Sequence, residues 1–184
     1  MVGPVDPLFW QVARWLLFGV FVAALWHKVR VRESFAVVVD DYRLLPRKAA
    51  PIAAVTVMGL EALVLAGLVF VVTARPAAIL AIVLLGIYAS AIAINLIRGR
   101  RNIDCGCMGP AGGSQDRHRL SPWLLVRNVA LIALGAVVFL PTSGRELLWL
   151  DTAGIGTGAA IALLIYFTSD QLLANRPLLD RMLQ

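Results

Sequence analysis

Charge is scarce in this chain. Of its 184 residues, 15% are Asp, Glu, Lys or Arg, whereas 60% are hydrophobic and the mean hydropathy is +0.81. That excludes an ordinary soluble domain, in which about a quarter of the residues carry charge. Cysteine is scarcer still, with two in the whole sequence. No Lys or Arg precedes the first apolar run, so "MVGPVDPLFW" lacks the charged leader of a cleavable secretory signal and the first segment is expected to remain as a helix. Internal repeats, low-complexity tracts and paired broken helices are also missing, which argues against a small-molecule transporter built on inverted halves. The net charge of +6 and pI near 10.1 do not point to nucleic acid. The basic residues stand at the ends of apolar runs, where lipid headgroups meet them.

What the chain has instead is long apolar runs, each of about 20 residues or more, the length of a membrane-spanning helix. The pattern predicts an all-α, polytopic transmembrane bundle forming one domain over residues 1–184. Spans are expected at about residues 8–29, 52–73, 77–97, 123–140 and 153–173, four as a core and the fifth at the carboxyl end. The mixed segment at 31–42, interrupted afterwards by Pro46, suits a helix lying in the membrane interface. "ARP" at 74–76 reads as a tight turn between the second and third spans. Trp10, Trp15, Trp26, Trp123 and Trp149 read as an aromatic belt.

Arg30, Arg32, Arg43, Arg47 and Lys48 fill the first link, and Arg98, Arg100, Arg101, Arg117 and Arg119 the third. The second and fourth links hold only Arg75 and Arg145. The positive-inside rule therefore places links one and three in the cytoplasm with the tail of Arg176 and Arg181, and the amino terminus outside.

Both cysteines lie in the third link, 98–122, within "NIDCGCMGP". Residues two apart can form a disulfide only where the backbone bends, which Gly106 between Cys105 and Cys107 allows and Gly109 and Pro110 extend. A bridge so tight is strained, and strain makes a disulfide labile and suited to exchange. Arg98, Arg100 and Arg101 nearby favour the thiolate that attacks, while Asp104 opposes them. Three plainer readings stand beside this one. The pair could be half of a metal site, but that site is short of ligands because His118, the nearby imidazole, lies eleven residues past Cys107. The cysteines could be incidental loop residues, or one could carry a lipid.

Several short stretches together resemble the methylamine-utilisation protein MauE family, within the DoxX-like membrane proteins. They are "LWHKV" at 25–29, "LLP" at 44–46, "GLE" at 59–61, "IRGRRNIDCGCMG" at 97–109 and "LLVRN" at 124–128. The likeness spans about residues 8–140, and "DCGC" is its most specific element; Met108 stands where an aromatic residue is expected. The resemblance implies an inner-membrane protein needed for maturation of an exported enzyme, methylamine dehydrogenase, whose small subunit is rich in disulfides. It also implies a thioredoxin-like partner of the MauD type. A client outside the cell membrane would suit a cysteine pair on that side, whereas the charge asymmetry puts the pair inside.

Within the spans, Glu61 stands near the middle of the second, where an ionised carboxylate costs roughly 2.5 kcal/mol or more unless it is paired. Arg127 is the partner expected for it, whether as glue between helices or as part of a proton path. Asn95 and Asn128 are expected to hydrogen-bond across helices. His27 and Lys28 read as interfacial anchors, with Lys28 marked for testing by the resemblance, and Asp170 reads as an interface residue. "GIGTG" at 154–158 follows no strand, so its GxxxG spacing is read as close helix packing, with Ala62 and Ala66 as counterparts.

The function expected from all this is a dithiol-disulfide relay. Cys105 and Cys107 carry the exchange, supported by Gly106, Asp104, Arg101, Glu61, Arg127, Asn128 and Lys28. The alternative is a non-redox scaffold for a thioredoxin-like partner or client. No metal is expected and no residue specifies a cofactor, though the bundle has room for a quinone. Lipid and proteins are the partners expected, not nucleic acid.

Overall fold

The computed structural model describes residues 5–100 and 120–182, with side chains described up to residue 172. Among these the architecture is all-helical, and five helices are long and apolar enough to cross a membrane. The first, α1 (Pro7–Arg30), begins where the Asp6 carboxylate accepts the Leu8 amide at 2.8 Å and Pro7 fills the first helical position, which needs no N–H donor. A break at Val31 releases the chain into α2 (Arg32–Asp41), which buries only Phe35 among its ten residues. A helix thus occupies the segment read from the sequence at 31–42, with one residue of it covered. A single 3-10 turn at Arg47–Ala49 then leads into α3 (Ala50–Val69).

Between α3 and α4 (Val71–Ile97) the corner falls at Phe70 and not at 74–76. Phe70 alone adopts extended backbone, with φ −101° and ψ 138°. The hydroxyl of Thr73 closes the corner by donating to the carbonyls of Gly67 at 2.7 Å and Phe70 at 3.3 Å. Pro76 is therefore carried inside α4, where its missing N–H removes one ladder bond close to the start of the helix. Gly67 lets the two helices close, since a Cβ there would stand 2.6 Å from that of Ala77. At the far end of α4, Gly99 takes a left-handed turn (φ +71°) and hands the chain to residue 100.

The next helix, α5 (Pro122–Phe139), is capped by Ser121, and α6 (Trp149–Met182) begins four residues earlier than the sequence pattern suggests. Helices α1, α3, α4 and α5 form the core. Leu17, Phe21, Val64, Leu68, Leu84 and Leu131 meet along its axis. Peripheral α6 lies against α1, where Gly154 and Gly158 admit Leu8 and Val12. That corrects the expected counterparts: Ala62 and Ala66 are exposed on α3, and the small residues serve α1 because that is the helix α6 crosses.

The bundle has two distinct ends. One carries α2, the close of α4 and the start of α5, where Leu120 and Leu124 pack on Ile92. At the opposite end a two-residue bridge joins Val5 to Thr142, and the Trp10 indole N–H donates to the Val138 carbonyl at 2.8 Å. Trp10 is thus a buried brace between α1 and α5 and not a member of an interfacial belt, a role Trp26 and Trp149 can fill at 60% and 78% exposure.

Candidate functional site

In the α2 half of the bundle the polar residues of four helices converge. Lys28, near the end of α1, turns inward and bonds the Glu61 carboxylate of α3, with Lys28 2% and Glu61 0% exposed. The Tyr88 hydroxyl of α4 donates to the same carboxylate oxygen at 2.7 Å and lies 3.4 Å from the Lys28 ammonium. Lys28 also faces the rings of Tyr88 and Phe35, at 4.9 and 5.3 Å from their centroids. The sequence reading makes Lys28 an interfacial anchor. Its burial follows from the reach of a four-carbon stem, which carries the ammonium from a helix end toward a carboxylate that could not remain ionised in the membrane alone.

Arg127, expected to neutralise Glu61, makes its salt bridge instead to Asp170 of α6 at 2.8 Å. Asp170, read from the sequence as an interface residue, is 14% exposed and ties α6 to α5 through this bridge. Both asparagines turn back on their own helices: Asn95 donates to the Ala91 carbonyl at 3.1 Å and Asn128 to the Leu124 carbonyl at 2.8 Å. A buried side-chain amide can donate to the second lone pair of the carbonyl one turn back on its own helix before it reaches a neighbouring helix. Asn95 also accepts from Arg100 at 3.3 Å, and Arg100 reaches the Tyr42 carbonyl at 3.5 Å, linking the end of α4 to the end of α2.

A small cavity of about 30 Å³ lies between these groups, bordered by Lys28, Glu61, Tyr88, Arg127, Asn128 and Tyr166. That is room for a water molecule. Among the described residues no donor reaches Glu61 Oε2, so one carboxylate oxygen is bonded and the other remains to be served. An ammonium, a carboxylate, a phenol and a water-sized space in contact form an arrangement able to accept, hold and pass a proton.

Glu61, Lys28, Arg127 and Asn128 were thus brought together as candidates by the sequence and border one cavity in the structure. Arg101, Asp104, Cys105, Gly106 and Cys107 lie outside the described residues. Sequence reasoning passed over Tyr88 and Arg14. Nothing in "LLGIYASAIA" distinguishes Tyr88 from an ordinary lipid-facing tyrosine, but Arg14 is visible as a cation inside the first apolar run. Arg14 is 4% exposed and lies over the Trp10 and Trp15 rings at 5.5 and 4.9 Å.

Five membrane-length helices around a buried lysine-glutamate-tyrosine cluster define a polytopic membrane protein with a polar centre. A family model described as methylamine utilisation protein MauE matches residues 6–141. The chain is 38% identical over 171 residues to methylamine utilization protein MauE of Paracoccus denitrificans, covering 91% of this chain and 89% of that relative. Against the proteins of the same name from Paracoccus versutus and Methylorubrum extorquens it is 36% identical over 172 and 167 residues, covering 91% and 89% of this chain and 88% and 87% of the relatives. The chain belongs to the MauE family. No solved structure matches it.

Proposed function

We propose that this protein acts in methylamine utilisation as a thiol-disulfide relay of the bacterial inner membrane. In this reading it supports disulfide formation in an exported client such as methylamine dehydrogenase, in company with a thioredoxin-like protein of the MauD type. One thiolate of the Cys105/Cys107 pair attacks a partner disulfide and forms a mixed disulfide, and the other thiolate resolves it. The pair leaves as a disulfide and the partner as a dithiol, so two electrons and two protons pass to the partner. Reversal of the same steps moves them the other way. Gly106 gives the bend, Arg101 and Asp104 set opposing fields on the thiols, and Glu61 with Lys28, Arg127 and Asn128 handles the accompanying protons from inside the bundle. The cysteine pair lies on the cytoplasmic face with the carboxyl terminus, and the amino terminus is outside.

The observation that carries the reading is "DCGC": the only two cysteines of the chain stand one residue apart, inside the stretch matched by the family. Two thiols so placed serve exchange better than stability, because closing so small a loop restrains the unfolded chain very little.

The test is alkylation of Cys105 and Cys107 in intact cells with a membrane-impermeant maleimide, before and after reduction, with a permeant reagent as control. A fraction of oxidised pairs that grows with oxidant is the expected result, and the side from which the thiols label gives the orientation. Thiols that stay reduced under every challenge would leave a non-redox scaffold for client or partner. The same scaffold would continue to support client maturation when both cysteines are replaced by serine, whereas a relay fails.

A further inference from the structure

Beneath α2 lies a second cavity, of about 170 Å³, separate from the polar one but sharing Lys28 and Tyr88 with it. We propose that this cavity is the binding site for the head ring of a membrane quinone. The proposal goes beyond the thiol reading and does not depend on it.

Size comes first. A cavity of about 150 Å³ lined by apolar side chains accommodates a benzene ring. The cavity under α2 therefore takes one substituted ring, and any long chain attached to the ring must lie outside. Its mouth is apolar: Ile87 on α4 is 53% exposed and Leu45, just after α2, is 46% exposed. An occupant enters from the lipid or its interface, so it must be lipid-soluble.

The walls narrow the chemistry further. Phe35, Tyr42 and Tyr88 present three aromatic side chains, which pack well on a flat ring. Lys28 supplies the cation. Among the described residues Lys28 bonds Glu61 and the Tyr88 oxygen, which leaves one of its three ammonium protons for a further acceptor, and Lys28 itself lines the cavity. The charge of Lys28, however, is already matched by the fully buried Glu61. A fatty-acid carboxylate or lipid phosphate entering here would add an unmatched negative charge beside that carboxylate in an apolar surround, which is costly. A neutral acceptor carries no such cost. A neutral carbonyl oxygen on a flat, lipid-soluble ring with its tail in the bilayer is a quinone.

The test uses the purified full-length protein in lipid nanodiscs and decylubiquinone as the probe, with binding followed by equilibrium dialysis. Saturable binding is expected, undiminished by an equal concentration of dodecanoate. Val38→Trp on α2 fills the cavity from a half-buried position and is expected to weaken binding by about tenfold or more while its thermal melting stays close to that of the parent. Should Val38→Trp fail to fold, Ala53→Phe fills the same space from α3 and carries the same expectation. The double variant Cys105→Ser/Cys107→Ser is expected to bind as the parent does, so loss of the relay reading leaves this one standing. Absence of saturable binding, unchanged binding in a folded cavity-filling variant, or displacement by dodecanoate would each overturn the proposal, the last in favour of an acyl-chain site.

Discussion

Both ends of the bundle hold a cation bonded to carboxylate, yet the two differ in kind. At the α2 end Lys28 and Glu61 are sealed from solvent, at 2% and 0% exposure. At the opposite end Arg145 bonds Asp151 at 2.9 Å and Asp6 at 3.2 Å, and Arg145 and Asp6 are each 41% exposed. The exposed cluster staples three chain segments, the start of α1, the link after α5 and the start of α6, in water that screens it. Surface pairs of this type contribute little to stability. The sealed pair works under the opposite rule, because neither partner reaches bulk water and each is needed to make the other tolerable. An ion pair that a chain keeps at such a cost is more informative about function than one that water would forgive.

The comparison is broken most directly by removing one member of the sealed pair. Lys28→Met or Glu61→Leu alone is expected to cost about 3–5 kcal/mol, because a bare charge remains in an apolar core. The double variant should recover most of the loss. Thermal melting of the detergent-solubilised protein reads both, and a double variant as unstable as the singles would show that geometry rather than charge pairing sets the stability of this end.

Next in size is the Arg127–Asp170 bridge, which is nearly as well covered. Asp170→Ala is expected to cost about 2 kcal/mol, the value of a hydrogen bond to a charged group, and to loosen α6 before the core. Hydrogen exchange along α6, compared with α4, checks it. A smaller effect is expected toward the opposite end from Gly67→Ala, whose new methyl would stand 2.6 Å from the Ala77 Cβ. Overpacking of this kind costs about 1 kcal/mol or somewhat more, read again as a lowered melting temperature.

The smallest effect is at the exposed cluster. Arg145→Ala should lower the melting temperature near neutral pH by a small amount that disappears in acid. Its signature lies in acid. The Leu8 amide and the Arg145 guanidinium hold the Asp6 carboxyl below its ordinary pKa of 3.8. Because the folded-state value is depressed, the contribution of Asp6 is present above pH 3.8 and is lost as the pH falls through the lowered value. Removing Arg145 should therefore flatten the decline of melting temperature below that pH. A parent and variant with superimposable acid limbs would rule out the Arg145 contribution.

The spans, the short helix after the first of them and the candidate acid Glu61 were legible because each is a matter of composition along a short window. The corner at Phe70 was not. Proline at 76 looks like a helix breaker, but a proline near a helix start costs little, and the closeness allowed by Gly67 and the bonds of Thr73 decided the site of the turn. Of the candidate site, Glu61 and Arg127 announced themselves by standing inside apolar runs, whereas Lys28, at a helix end, read as an interfacial anchor. Tyr88 did not stand out, since a tyrosine in such a run is equally at home at the membrane interface.

The sequence by itself determined that this chain crosses a membrane, where its polar gaps fall, and which ionisable residues the membrane must accommodate. Apolar length and the position of charges are one-dimensional properties, and the bilayer reads them segment by segment. Only the tertiary structure decided who meets whom. Lys28 reaches a glutamate 33 residues away, and Arg127 turns from that glutamate to an aspartate 43 residues on. Partner choice depends on the rotation of each helix about its axis and on which helix it crosses. Those are fixed by packing the whole bundle, through contacts such as Gly67 on Ala77 and Gly158 on Val12, and no single segment contains them.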